Sequence, residues 1–434
     1  MKKSMYTLFF PLKEGTKIIL YNTLSRALYI IDEELKEAIR SDPDSLPHAL
    51  REDFRKEWIL VEDDVDEPQT VSVMRDEMRY LSPFLQCMIM TTYECNLTCP
   101  YCYEKKDAKT SLNTTTTRRI SAFIENMIER YRSTHVDFLM YGGEPLLNTT
   151  PLFELLDHFT GFCEEKSIEF NVDVTTNGTL LTPGLVDALQ SYGVRVVQVT
   201  LDGPKHLHDQ KRKYASGEGT YEDIITGLQL MRESTLKPKI RINVDQSNRN
   251  AIHHLLDDLK ARGLADISIY FGIIRPLSQA CESYGNCIGD ISLKSVIPSL
   301  WNLALEKGFS IPLQPQSNLI GCGMQGTSTF TIDPEGHLYK CVTMVGYPEL
   351  SIGTIGEGGE VPSWNPIYYR WMSRNPLSFP ECRICSYFPL CGGGCPMIAH
   401  AHLGTYEKGG CFETKGILKE QLTLYLKQSY PEML

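Results

Sequence analysis

Three cysteines, Cys95, Cys99 and Cys102, share one short stretch, Cys95-Asn96-Leu97-Thr98-Cys99-Pro100-Tyr101-Cys102, directly after an apolar run at 87–92. Three thiolates on one loop can hold three irons of a cubic [4Fe–4S] cluster and leave the fourth iron without a protein ligand. An open iron matters because a substrate or cofactor binds there and receives an electron directly. The competing reading is a structural zinc knuckle with a fourth ligand elsewhere, but zinc usually takes paired C-x2-C units. A spacing of three then two on one loop suits a cube face better.

Further polar motifs follow apolar runs. Tyr141-Gly142-Gly143-Glu144-Pro145 puts two glycines at a strand end, where the backbone can approach a ligand closely. Thr175-Thr176-Asn177-Gly178 and Thr200-Leu201-Asp202-Gly203 are, taken singly, turn chemistry. Arg212 lies a few residues beyond the latter, and Arg241 and Asn243 sit on a later run that could line a cavity. The C-terminal third holds Cys322-x13-Gly336-x4-Cys341, then Cys382-x2-Cys385-x5-Cys391-x3-Cys395, then Cys411.

Of the 14 cysteines, only Cys87, Cys163, Cys281 and Cys287 stand outside these patterns. Residues 1–20 carry no export signal, so a reducing cytoplasm is expected, where patterned cysteines serve as metal ligands rather than disulfides. Cys87 and Cys163, in apolar surroundings, read as small buried hydrophobes.

The elements that must position these residues fall into three segments. Residues 1–80 show runs at 6–10 and 17–21 joined by Lys13-Glu14-Gly15 as a hairpin, and a third strand at 27–31. A helix starting at Asp32, which can cap it, a second helix at 46–57 and a strand at 58–61 complete a small α+β, winged-helix-like domain. The acidic run at 62–67 reads as a solvated linker.

Residues 85–310 alternate apolar runs at 87–92, 136–141, 170–175, 194–201, 240–244 and 267–274 with helical patterns such as 118–130, 151–164 and 221–233. Six βα units predict a parallel sheet, covered on both faces and curled by right-handed crossovers into a full or partial barrel. The motifs above follow its strands directly, where barrel active sites are built. In residues 311–434 periodicity fades while Gly, Pro and Cys rise, so metal cross-links are expected to hold this irregular segment.

The chain's 434 residues call for two or three domains. Its net charge of −11 argues against nucleic acid, and no apolar run is long enough to span a membrane.

The C-x3-C-x2-C loop, with Gly142-Gly143-Glu144-Pro145 one βα unit later, resembles the signature of radical S-adenosylmethionine (SAM) enzymes. The seven C-terminal cysteines resemble the SPASM extension of that family. The resemblance implies an α/β fold: a partial (β/α)6 TIM-like barrel followed by an irregular iron–sulfur domain. It implies one [4Fe–4S] cluster on Cys95, Cys99 and Cys102 that binds SAM. SAM contacts would come from Tyr101, Gly142, Gly143, Glu144, Thr176, Asn177, Thr200, Asp202 and Arg212, with Arg212 on the SAM carboxylate.

Two auxiliary [4Fe–4S] clusters are implied as well. Cys382, Cys385, Cys391 and Cys411 would complete one, and Cys322, Cys341 and Cys395 would hold three irons of the other. The fourth ligand of that second cluster is Cys281, Cys287 or a substrate thiolate. The family reaction is reductive cleavage of SAM to a 5′-deoxyadenosyl radical, which abstracts a substrate hydrogen. A reductant such as flavodoxin or ferredoxin supplies the electron.

Two features favour peptide maturases over sulfatase maturases, which make formylglycine. The first 80 residues resemble the leader-binding domain fused to many peptide maturases, which adds a peptide strand to its sheet. Position 342 is Val, where sulfatase maturases carry an Asp base directly after the Cys of the G-x4-C motif. The expectation is an intramolecular thioether or C–C cross-link in a ribosomal precursor peptide, with formylglycine formation and epimerisation as alternatives.

Overall fold

The computed structural model describes the chain apart from residues 13–16, 105–108, 277–278, 290–292, 412–413 and 434. It divides into two compact units.

The larger unit spans Ser82–Pro312 and Thr327–Met372. Six strands, β1 (Phe84–Met90), β2 (His135–Tyr141), β3 (Glu169–Thr176), β4 (Val194–Leu201), β5 (Lys237–Val244) and β6 (Ser268–Ile273), lie in sequence order in one sheet. Every neighbouring pair among them is parallel. Helices Thr114–Tyr131, Thr149–Glu165, Pro183–Ser191, Tyr221–Arg232 and Ile252–Ala261 make the crossovers. Local chemistry starts two of these helices: Asn113 accepts from Thr116 N at 3.1 Å, and Thr182 accepts from Leu185 N at 3.3 Å.

Leu152, Leu155, Leu156 and Phe159 are fully buried along one helix, and Phe159 meets Phe138 of β2 edge-on at 5.0 Å between ring centres. Burying each such side chain contributes about 1.5–3 kcal/mol. This is the partial barrel expected from the sequence.

One expectation needs correction. The apolar runs predict a sheet covered on both faces, but burial alternates along the strands. Val136, Phe138 and Met140 are buried, whereas Asp137, Leu139 and Tyr141 remain partly accessible. Gln86, Asn171, Gln198, Arg241 and Tyr270 are likewise partly accessible on their own strands. The helices cover one face, and the other is a partly accessible wall that mixes polar side chains with apolar ones. The alternation was hidden because Leu139, Val196 and similar residues keep both faces apolar in composition.

Beyond β1 the sheet continues through three later strands. Thr329–Ile332 pairs parallel to β1, and His337–Tyr339 and Gly353–Thr354 follow antiparallel.

The smaller unit comprises Met1–Leu81, Leu313–Gly326 and Ser373–Leu434. Strands Thr7–Pro11, Ile18–Asn22 and Leu28–Ile31 form an antiparallel sheet, so the expected hairpin is present; its turn residues Lys13-Glu14-Gly15 fall outside the described residues. Asp32 accepts from Leu35 N at 2.8 Å and starts helix Glu33–Ser41. One face of the sheet packs on helix Thr414–Ser429 through Ile19, Tyr21, Leu418, Leu422 and Leu426. Tyr6 and Val71 share a core with Leu319, Leu377 and Phe388. The N-terminal strands and the cysteine-rich segment are therefore built around common cores.

The acidic run is not a plain linker. Asp66 caps helix Glu67–Tyr80, and the buried Glu67 carboxylate accepts from Ser4 Oγ and, at 2.9 Å, from Met5 N. Pro68 in the first turn and Asp66 before it were the available signal for this helix.

Candidate active site

The loop after β1 is held by backbone. Gly143 N donates to Thr92 O at 2.9 Å and Glu144 N to Glu94 O at 2.8 Å. A Cβ at Gly143 would lie 2.3 Å from Glu94 O, and one at Gly142 2.7 Å from Thr92 O. The glycines expected to admit a ligand thus admit the cysteine loop itself.

Glu144 is fully buried, and burial raises its pKa. One oxygen accepts from Thr176 Oγ1 at 2.7 Å and Leu146 N at 3.0 Å, the other from Asn177 N at 2.6 Å. The carboxylate joins the ends of β2 and β3. Asn177 then reaches the cysteine loop, with Nδ2 2.8 Å from Asn96 Oδ1 and 3.9 Å from Cys95 Sγ.

A second network centres on the Tyr101 hydroxyl. It donates to Asp202 Oδ2 and accepts from Arg212 Nη1 and Asn243 Nδ2, both at 3.3 Å. Burial raises the Asp202 pKa, while Cys99, Tyr101 and Asp202 keep Arg212 charged against its burial. Asn248 Nδ2 ties the loop ends together, donating to Asp202 O and Asn243 O at 2.8 Å each. His208 Nδ1 accepts from Asp202 N at 3.2 Å, so its Nε2 carries the proton toward Thr220 Oγ1 at 3.1 Å. Burial keeps that imidazole neutral. Lys211 and Asp245 form a buried pair at 2.7 Å, and Tyr284 donates to the same Asp245 oxygen at 2.5 Å.

The tertiary structure thus gathers Tyr101, Asp202 and Arg212 on one hydroxyl, and Glu144, Thr176 and Asn177 on one carboxylate. Gly142 and Gly143 lie against the cysteine loop, and Thr200 is in register beside Arg241. Sequence reasoning missed His208, Lys211, Asp245, Asn248 and Tyr284. Asp245 directly follows β5, a position that could have flagged it.

Two observations test the fit of an iron–sulfur cluster and SAM. Burial pushes the Cys102 thiol up to about 12, so it needs a bound cation to stay ionised. For SAM, Asp202 Oδ1 and Arg212 Nε are buried without partners on the Tyr101 network. A ligand carrying both a cation and an anion satisfies such a pair, and the residues fit.

In the smaller unit Cys382, Cys385, Cys391 and Cys411 act on one another electrostatically, which together with burial raises Cys382 to about 12 and Cys391 to about 11. Gly392, Gly393 and Gly394 all take positive φ (53°, 81° and 72°), folding the chain between Cys391 and Cys395 as other residues cannot. Arg374 braces this segment through Gly393 O at 2.8 Å and Lys408 O at 3.0 Å. Cys322 and Cys395 belong to this unit and Cys341 to the larger one. Cys281 and Cys287 are joined to each other as a disulfide. While so paired, neither sulfur is available as the fourth ligand considered for the second auxiliary cluster.

Residues 89–259 match the radical SAM superfamily. The chain carries a radical SAM domain, and SPASM-type maturases are among its relatives. It is 23% identical over 321 residues to the cysteine-type anaerobic sulfatase-maturating enzyme of Clostridium perfringens, covering 69% of this chain and 85% of that protein. It is 26% identical over 321 residues to the mycofactocin maturase MftC of Mycobacterium tuberculosis, covering 70% and 76%.

In fold it is similar to native anSMEcpe with bound AdoMet and Kp18Cys peptide, at TM-score 0.60 and 18% identity over 81% of this chain and 98% of that one. It is also similar to Streptococcus suis SuiB bound to precursor peptide SuiA, at TM-score 0.55 and 16% identity over 94% and 98%. SAM and a [4Fe–4S] cluster are its cofactors. Among the described residues no helix is long and apolar enough to cross a membrane.

Proposed function

We propose that this enzyme is a peptide maturase that introduces an intramolecular cross-link, thioether or C–C, into a ribosomally made precursor in a reduced cytoplasm. When bound, SAM and the reduced cluster supply hydrogen-atom abstraction. The chain's own residues do the rest. Cys95, Cys99 and Cys102 hold the cluster. The Tyr101, Asp202 and Arg212 network orients SAM together with Gly142, Gly143, Glu144, Thr176, Asn177 and Thr200. The inner wall of the barrel receives the peptide. We assign an auxiliary cluster to Cys382, Cys385, Cys391 and Cys411.

The observation that carries this reading is the sheet of the smaller unit, whose strand Leu28–Ile31 is, among the described residues, paired on one side only. A free edge binds an extended leader by adding a strand. The likeness to SuiB supports it, because coverage of 94% extends into the first 81 residues. Reduced, reconstituted enzyme with SAM and the precursor encoded beside its gene should give a product lighter by two hydrogens. Unchanged peptide mass with active SAM cleavage refutes the cross-linking reading.

The sulfatase-maturing relatives favour a second reading, formylglycine formation, equally supported by likeness. Val342 stands against it, because it puts no carboxylate base at that position. A formylglycine mass shift on a sulfatase peptide would establish it.

A further inference from the structure

The inner wall of the barrel carries a guanidinium that the SAM network does not use. Arg241 lies on β5, in register with Thr200 of β4 and Tyr270 of β6. Its sequence neighbours Ile240 and Ile242 are fully buried on the helix side, so Arg241 points inward. It is partly accessible there, on the wall of an interior space.

Its surroundings are neutral hydroxyls and an amide. Nε donates to Asn243 Oδ1 at 2.8 Å, and the guanidinium carbon lies 5.8 Å from the centre of the Tyr270 ring. The groups acting on its charge are Tyr270, Tyr141 and Tyr103, the last two sharing a hydrogen bond of 2.5 Å. Among the described residues no carboxylate pairs with it. A deeply set guanidinium without an anion bears a desolvation cost that a bound carboxylate would offset.

The wall is also shaped for it. The residue of β6 opposite Asn243 is Gly272, where a Cβ would come within 2.6 Å of Arg241 Nε and 2.8 Å of Nη2. Any other residue would displace the planar fork. Arg241 sits two residues before Asn243, whose amide reaches the Tyr101 hydroxyl. Two strand residues span about 6.6 Å, so an anion held here lies beside the SAM network. That network has its own cation in Arg212.

We propose that Arg241, cradled by Gly272, binds a carboxylate of the peptide substrate and thereby fixes which residue of the peptide faces the SAM network. The carboxylate belongs to an acidic side chain or to the peptide C-terminus, and the planar fork takes it through two parallel N–H···O bonds. This rests on the peptide-maturase reading and adds a specificity determinant to it.

The test uses the reconstituted holoenzyme and the precursor encoded beside its gene. Each core Asp or Glu is changed in turn to its amide, and the C-terminus is amidated. Wild-type kcat/KM should fall about 10- to 100-fold for one of these peptides, the usual weight of a hydrogen bond to a charged group. Arg241→Gln should process that peptide and its parent equally, and Arg241→Lys should recover part of the preference. Gly272→Ala, which displaces the guanidinium without removing its charge, should reproduce the loss.

Equal processing of every acid and amide peptide by wild type overturns the proposal, whatever the variants do. A raised Kd for SAM in Arg241→Gln, with the acid preference intact, reassigns the cation to the cofactor and also overturns it. Failure to modify any peptide removes the maturase reading and this inference with it.

Discussion

Tyr101→Phe isolates one hydroxyl. The ring and its edge contact with Tyr284, 5.7 Å between centres, are kept. Three hydrogen bonds are lost: one donated to the buried Asp202 carboxylate, one accepted from Arg212 and one accepted from Asn243. Bonds to charged groups are worth about 1.5–3 kcal/mol and neutral ones about 1 kcal/mol. The simple total is an upper bound, because Tyr101 is only half-buried and water can replace part of it.

A net loss of about 2–4 kcal/mol in local stability follows, since Asp202 and Arg212 are themselves buried. At 1.4 kcal/mol per tenfold, amide hydrogen exchange at the C-terminal ends of β4 and β5 should accelerate about 30- to 700-fold, with β2 unaffected. SAM Kd, measured anaerobically by equilibrium dialysis, should rise with it. Exchange within threefold of wild type would show that the hydroxyl does not hold these strand ends together.

Other expectations follow from the same geometry. Lys211→Met leaves Asp245 charged and buried, which should cost about 3–5 kcal/mol in unfolding experiments, whereas the double change to Met and Asn should recover much of it. Gly143→Ala drives a methyl group into Glu94 O and should lower iron content after anaerobic reconstitution, measured by iron analysis against protein. The hydrogen bond to Asp333 raises the His337 pKa above its ordinary value. That contribution is complete below about pH 6.5 and is lost as pH rises through the raised value. The melting temperature of His337→Gln should therefore fall most below wild type near pH 6 and approach it at alkaline pH. Proline substitutions within Leu28–Ile31 should weaken precursor binding while leaving SAM cleavage intact; unaltered peptide affinity would remove the strand-addition idea. Truncation is a poorer test, because Tyr6 and Val71 share a core with Phe388.

Much of this enzyme was legible in its chain because the information is local. A three-cysteine loop such as that of Cys95, Cys99 and Cys102 has a spacing written in a few neighbouring residues. The six barrel strands announce themselves as short apolar runs separated by amphipathic helices, and parallel pairing follows from the crossovers. Asp32 capped a helix as its side chain dictates.

Long-range contacts were not legible in the same way. That Gly143 packs on Glu94 depends on two loops some 50 residues apart meeting at van der Waals distance. The Tyr101 hydroxyl collects partners from three segments, and nothing in any one of them reveals the others. The buried Glu67 and the placing of Arg241 against Gly272 belong to the same class. Sequence determined which residues could do chemistry, because chemical type and short spacing are written in it. Tertiary structure decided which of them share charge and hydrogen bonds, because those energies depend on distance and burial that only packing sets.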